Sequence, residues 1–410
     1  MKYDPITLSY AQAQERRVLH LSTRVWQEEL SEDRNEFSRD YARIIYSSSF
    51  LRLQGKMQLL GIQHTEFFRN RLTHSLTVAQ VAREIAANLE LKYPVVAEVA
   101  SLAHDLGNPP FGHYGEKILG GLAKDIGGFE GNAQTLRILT CLEKKHYEYG
   151  GLNLTLRTLL SVIKYFRKYE NGANKKFIYD SDFDLILNKL EEHQLGNEPN
   201  TIDMQIMDLA DEIAYAAHDL EDCLKLGYFT IDELLNEFKH HEKYSVAYKT
   251  FKELVESSQK FANRGTRFET SEEFSFLFRR RLTSLVVNKL VSDIALSAEK
   301  TKLQLKHHNL LSSGLKELTF KAVKRKTAVQ LYEKMGEKII KGLFTVFSDD
   351  KFNKELFLLP AEYRKYESGN ETERQRNIID YISGMMDSFA MKEYEKYFGP
   401  NSLEKQYFVE

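Results

Sequence analysis

The chain has 410 residues, 42% of them hydrophobic and 28% charged, with a net charge of −2. That composition belongs to a folded globular protein and excludes disorder. The length asks for one large domain or two fused ones. Near-neutral charge gives no global case for a nucleic acid or membrane partner, so any basic patch is local. Cys141 and Cys223 are the only cysteines, which excludes a disulfide framework and a cysteine-based zinc module. The N-terminal stretch MKYDPITLSYAQAQERR is polar, without an apolar signal core, and no apolar run is long enough to span a bilayer. The expected compartment is reducing and cytoplasmic.

Prolines number only 7, and apolar residues recur at three-to-four spacing with almost no β-branched alternation, so the expected class is all-α. Residues 1–38 read as a polar arm with some helix. Residues 39–60 read as one helix that runs toward Gly61. The stretch 72–91 is a strong helix, apolar at Leu72, Leu76, Ala79, Ala82, Ile85 and Leu89. Pro94 opens a helix over 95–106, and Gly107 is expected to close it as a C-cap. Residues 108–131, rich in glycine and proline, read as a loop with at most a short helix. Further helices are expected over 132–145 and 152–169, a polar surface loop over 170–182, and a long helix over 201–226 stopped by Gly227. Beyond that the chain stays helical but more charged and aromatic, with basic clusters at 263–267, 279–281 and 321–326. The expected organisation is an arm (1–38), a core (39–230) and a helical C-terminal region (231–410) that completes a pocket or makes oligomer or effector contacts.

Ionisable residues stand where apolar ones are expected. His74 lies in line with Val78, Val81 and Ile85 on one helix, and His104–Asp105 ends another. Neighbours on a helix point about 100° apart, so a shared ion requires the backbone to relax at the helix end. Imidazoles with carboxylates form a mixed N/O set that suits Mn, Fe, Co, Ni, Zn or Mg rather than a thiolate site. A further carboxylate is needed to balance a dication. On the helix over 201–226, Asp208, Asp211, Tyr215, Asp219 and Asp222 fall within about 80° of arc, opposite Ile202, Leu209, Ile213, Leu220 and Leu224. Taken singly, a buried histidine is usually a hydrogen-bonded core residue and an acidic stripe a solvated face. Those readings predict no relation among the three segments.

The spacing H…HD…D resembles the HD-domain metal-dependent phosphohydrolases. RLTHSLTVAQVAR (71–83), HDLGNPPFGHYGE (104–116), GFEGNAQTLRILT (128–140) and ADEIAYAAHDLED (210–222) together resemble the bacterial dGTPase-like deoxynucleoside triphosphate triphosphohydrolases. The resemblance covers roughly residues 16–230, and the C-terminal part only loosely. It implies an HD-domain helical core with a helical C-terminal extension. It also implies hydrolysis of a dNTP to deoxynucleoside and triphosphate, with His74, His104, Asp105 and Asp211 holding the divalent metal. Asp219, which follows a histidine as Asp105 does, is then not the ligand. It falls with Tyr215 on the sugar and phosphate side.

On that reading Arg71, one turn before His74, is the leading phosphate partner, with Lys164 and Arg281 behind it. His113 is the proton donor or base, oriented by Glu116 three residues on, and the glycines and prolines shape a loop that returns it toward the metal. Gln58 and Leu59 match the part of the family near sugar and base, and Tyr215 would stack under the sugar. Asn108 departs from the pattern, since related sequences commonly carry histidine there; an amide donates a hydrogen bond without charge. Family members are oligomers, commonly tetramers or hexamers, and an effector dNTP is a further implied partner. Two rivals remain: an HD phosphohydrolase of another nucleotide, and a nucleotide- or single-strand-DNA-binding regulator served by the basic clusters.

Overall fold

The computed structural model describes residues 3–28, 35–58, 69–144, 146–171, 174–265, 267, 270–367 and 369–399. The described chain is all-α apart from one short antiparallel hairpin, β1 (Ile294–Leu296) with β2 (Leu303–Leu305), which pairs Ile294 with Leu305. No helix among the described residues is long and apolar enough to cross a membrane.

The N-terminal segment carries a helix that packs on the core. Helix α1 (Pro5–Val18) starts on an Asp4 cap with proline in its first turn. It buries Ala11 and Val18, and its Glu15 accepts the backbone N–H groups of Lys92 and Tyr93. The expected helix over 39–60 divides into α2 (Glu36–Ile45), α3 (Ser48–Arg52) and a 3₁₀ turn (Leu53–Gly55). The break has a local cause: the Ser47 side chain accepts from the Phe50 N–H and caps a new helix.

Three helices build the centre. Helix α4 (Arg71–Asn88) opens with an Asn70–Thr73 capping box, α5 (Pro94–Ala103) with its proline, and α10 (Ile202–Lys225) on a Thr201 cap. Val78, Val81, Ala82 and Ile85 of α4 pack on Ile206, Ala210, Ile213 and Ala217 of α10. Gly107 is not a left-handed cap, because α5 ends at Ala103 on a right-handed His104. Its role is close approach: a Cβ there would lie 2.2 Å from the Gly131 carbonyl oxygen and the Thr135 nitrogen of α7 (Gly131–Arg137).

The segment read as a loop over 108–131 carries α6 (Gly112–Leu122), so His113 stands in the first turn of a helix rather than on a loop. Three apolar residues of α6 and its flanks, Phe111, Leu119 and Phe129, are buried against the C-terminal region, an interaction no local pattern encodes. Helix α8 (Leu156–Ser161) is much shorter than the span 152–169, and α9 (Asp180–Glu192) follows the polar loop.

After α10, helices α11 (Ile231–His240), α12 (Tyr248–Ala262) and α13 (Ser271–Val291) join the same apolar core as α4, with α13 packed on α10 and α12 on α13. The composition shift near 228–231 is therefore not a break in packing. Helix α14 (Asn309–Lys324) joins that core as well, whereas α15 (Thr327–Ser348), α16 (Glu371–Ser383) and α17 (Asp387–Phe398) form a second one around Ile339, Leu343, Ile378 and Ile382. That second core receives α6, which ties the C-terminal helices to the turn after His104–Asp105.

Candidate active site

His74 projects from the first turns of α4, His104 and Asp105 from the end of α5, and Asp211 from the third turn of α10. Their polar atoms meet. His74 Nε2 lies 3.2 Å and His104 Nε2 3.5 Å from Asp211 Oδ1, and His104 Nε2 lies 3.6 Å from Asp105 Oδ1. The turn at the end of α5 thus lets consecutive residues face one point.

The imidazole of His104 has one ring nitrogen engaged and the other free. Its Nδ1 donates to the Ser101 carbonyl oxygen at 2.6 Å, which leaves the Nε2 lone pair toward the carboxylates. That Nε2 is buried without a hydrogen-bond partner. His74, His104 and Asp211 offer ligand atoms within 4.8 Å of one another. A mixed N/O set with an orphaned buried nitrogen fits a divalent cation. Burial alone would favour neutral groups, yet Lys164 and His104 hold the Asp211 carboxyl well below the usual range. Asp105 is likewise depressed, with His104 and Arg71 overcoming its burial. His104 itself is raised, since Asp105 and Asp211 outweigh its desolvation. Such a site prefers a positive charge at its centre.

The surrounding residues order these four. Arg71 Nη1 donates to Asp105 Oδ2 at 2.9 Å. The Asn108 amide donates to the other oxygen, Oδ1, so this asparagine is spent on fixing Asp105. Lys164 Nζ bonds Asp211 Oδ2 at 2.9 Å and pairs with Asp208 at 3.0 Å, and the two carboxylates raise its pKa against a large desolvation.

A cleft of about 950 Å³ opens over this cluster. Of the residues expected from sequence, Gln58, Arg71, Asn108, His113, Glu116, Lys164 and Tyr215 line it with the four clustered residues. His113 is largely exposed, with Nδ1 at 3.4 Å from Glu116 Oε2. Glu116 also accepts the Gly131 N–H at 3.0 Å and lies 3.6 Å from Lys176 Nζ. Against the cost of burial, His113, Lys176 and the Gly131 amide bring its carboxyl down to about 2.

Two expected residues lie elsewhere, and a third, Leu59, falls outside the described residues. Asp219 shares the helical arc but does not line the cleft; it is buried with Oδ2 unpartnered, and burial with the nearby Asp222 pushes its carboxyl well above the usual range. A helical wheel gives direction but not depth, and Asp219 lies two turns further along α10. Arg281 does not line the cleft either; its guanidinium covers the Phe261 ring at 5.2 Å.

Other cleft residues went unread. Lys176 comes from the stretch taken as a surface loop and pairs with Glu130, the cap of α7. Lys316 and Lys324 come from α14 and Tyr332 from α15, so the C-terminal region supplies a wall. Lys316 lies over the Tyr215 ring at 5.7 Å. Only Lys324 had a signal, the basic cluster 321–326.

Comparison with known proteins agrees with this geometry. The HD domain matches residues 71–216, which span the four clustered residues, and the phosphohydrolase-associated domain matches residues 307–396. A deoxyguanosinetriphosphate triphosphohydrolase-like protein 2 of Vibrio cholerae serotype O1 is 52% identical over 409 residues, covering 99% of this chain and 100% of that one. A deoxyguanosinetriphosphate triphosphohydrolase-like protein of Shewanella sp. (strain ANA-3) is 34% identical over 452 aligned positions, covering 93% and 98%. A relative from Mesorhizobium japonicum, again a deoxyguanosinetriphosphate triphosphohydrolase-like protein 2, is 33% identical, covering 88% and 92%. With such identity along its whole length and an HD domain over its histidine–aspartate cluster, the chain belongs to the HD-domain deoxyguanosinetriphosphate triphosphohydrolase-like family.

Proposed function

We propose that this protein hydrolyses deoxynucleoside triphosphates to the deoxynucleoside and inorganic triphosphate. One observation carries the reading: His74, His104, Asp105 and Asp211 converge on a cleft that also presents Arg71, Lys164 and, from two further segments, Lys176, Lys316 and Lys324. A divalent cation held by those four residues would polarise an α-phosphate oxygen and make the attacking water more acidic.

The rest falls to the chain. Two neutral imidazoles and two carboxylates cancel the charge of a dication, so the polyanionic substrate needs its own cations. Arg71, Lys176, Lys316 and Lys324 provide them along the cleft. Tyr215, with Lys316 over its ring, offers an aromatic face for the sugar. The oxygen of water bonds to the α-phosphorus while the bond from phosphorus to the 5′ oxygen breaks. His113 gives its proton to that departing oxygen and regains one from the solvent that receives the water proton. Glu116, ionised down to about pH 2, holds the Nδ1 side of the ring and leaves Nε2 to carry the transferred proton.

The test is a product assay. The protein is incubated with Mn²⁺ or Mg²⁺ and each dNTP, singly and mixed, and nucleoside, phosphate, pyrophosphate and triphosphate are separated. The expected products are deoxynucleoside and triphosphate, abolished by His104→Ala. Turnover only in mixtures would mark a second dNTP as activator. Metal-loaded protein that turns over no dNTP would overturn the reading.

A further inference from the structure

The elbow between α16 and α17 touches neither the clustered histidines nor Asp211, yet it holds the backbone that presents His113. Asp387, in the first turn of α17, is fully buried. Its Oδ1 accepts the Phe111 N–H at 3.0 Å. Its Oδ2 accepts the Met57 N–H at 3.1 Å and the Tyr332 hydroxyl at 2.8 Å. One carboxylate thus joins three strands of chain that reach the cleft, since Met57, Phe111 and Tyr332 all line it.

The bond to Phe111 matters most. Phe111 is the N-cap of α6 and has left-handed backbone angles, φ 61° and ψ 25°. A side chain larger than glycine's, or than asparagine's, seldom adopts that conformation without support. Phe111 follows Pro110, and its N–H enters no helix. Asp387 satisfies that amide, and the Phe111 ring lies flush on α15, where a Cβ at Gly336 would come within 2.5 Å of it. His113 is two residues further on.

The same elbow braces the turn on its other side. Lys56 Nζ donates to the carbonyl oxygens of Asn108 and, at 2.8 Å, of Ser383. Gly55 packs so closely on Met386 that a Cβ would lie 2.5 Å from the sulfur.

We propose that Asp387 is a positioning residue for the reaction: through the Phe111 amide it sets the start of α6 and so the place of His113 in the cleft. The inference rests on the reading of His113 given above. His74, His104 and Asp211 stand on α4, α5 and α10, so the metal site forms without Asp387.

The test is a double-mutant cycle of Asp387→Asn and His113→Ala, with kcat, KM and Mn²⁺ affinity measured on each. Misplacing a catalytic group by about an ångström costs on the order of 100-fold, so Asp387→Asn is expected to lower kcat by roughly 10- to 100-fold. KM and Mn²⁺ affinity should stay within about threefold, and the effect should vanish in the His113→Ala background. A folded Asp387→Asn protein with unchanged kcat overturns the proposal, as does a loss of the same size without His113. Asp387→Glu serves the same cycle if the asparagine variant does not fold. Hydrogen exchange on the wild-type protein gives a reading apart from activity: the Phe111 amide should exchange slowly, and fast exchange overturns the contact. Wild-type protein without dNTP turnover, or His113→Ala with full turnover, overturns the functional reading and this one with it. Those two control rates tell that failure from a failure of Asp387 alone.

Discussion

Near its N-terminus helix α10 buries Asp203, and eight residues on it presents the half-buried Asp211. Asp203 receives Arg157 in a two-pronged pair at 2.8 and 2.9 Å, and Glu15 takes the same guanidinium at 3.0 Å. The Arg157 side chain is wholly enclosed, over the rings of Phe37 and Tyr93, and borders no part of the cleft. Asp211 meets two imidazoles and one lysine, and the cluster leaves His104 Nε2 unpartnered beside an open cleft. Both aspartates are ion-paired, Asp203 fully enclosed and Asp211 open to the cleft on one side. What separates them is the neighbour: a fixed guanidinium closes the first site, whereas nitrogen lone pairs facing carboxylates hold the second open for a cation. An ion pair marks a structural clamp when the guanidinium encloses the whole carboxylate, and a candidate binding site when a carboxylate oxygen stays open beside an unpartnered imidazole nitrogen.

The comparison breaks if the two aspartates respond alike. Asp211→Asn should cut dNTP turnover by about three orders of magnitude or more and abolish Mn²⁺ binding, seen by calorimetry, while the chain stays folded. Asp203→Ala strands Arg157 and should cost about 3–5 kcal/mol in urea unfolding, with Mn²⁺ affinity and turnover per folded molecule retained. Lys164→Met sharpens the contrast. It removes the cation from Asp211 Oδ2 without changing any of the four residues proposed to hold the metal, and should lower kcat/KM by roughly 10- to 100-fold. Asp182 adds a smaller, third case, a buried carboxyl with neither clamp nor cleft. Its Oδ1 accepts the Thr140 hydroxyl at 2.7 Å, its Oδ2 has no partner, and burial lifts it to about 6. A raised carboxyl pKa favours the folded state below the ordinary value near 3.8, and that advantage is lost as pH rises through 6. Asp182→Asn should therefore be more stable than wild type by roughly 1–3 kcal/mol at pH 8 and no more stable near pH 4, read from urea unfolding at both.

The sequence pattern reached the floor of the site because its groups sit on long amphipathic helices with local rules. The Asn70 cap, Pro94 and the Thr201 cap fix where α4, α5 and α10 begin. A histidine or aspartate on an apolar face then stands out. The walls were not legible in that way. Helix α6 is rich in glycine, and its apolar residues are buried against α15–α17, more than 200 residues away in sequence, so 108–131 looked like a loop. Lys316 and Lys176 reach the cleft only through tertiary packing, and nothing in a charged helix face or a polar loop separates a ligand-facing lysine from a solvated one. Asp219 errs the other way: the period of the helix put it on the right face, and only depth along the axis takes it out of the cleft. Gly107, expected as the C-cap of α5, is required instead by its close packing on α7.

The most direct measurement is turnover of a dNTP in H₂¹⁸O with Mn²⁺, followed by mass spectrometry of both products. Attack of water at the α-phosphorus predicts one ¹⁸O in the triphosphate and none in the deoxynucleoside, with both products lost in Asp211→Asn. Label in the nucleoside hydroxyl, label in phosphate or pyrophosphate, or labelled triphosphate from the Asp211→Asn protein would contradict the account.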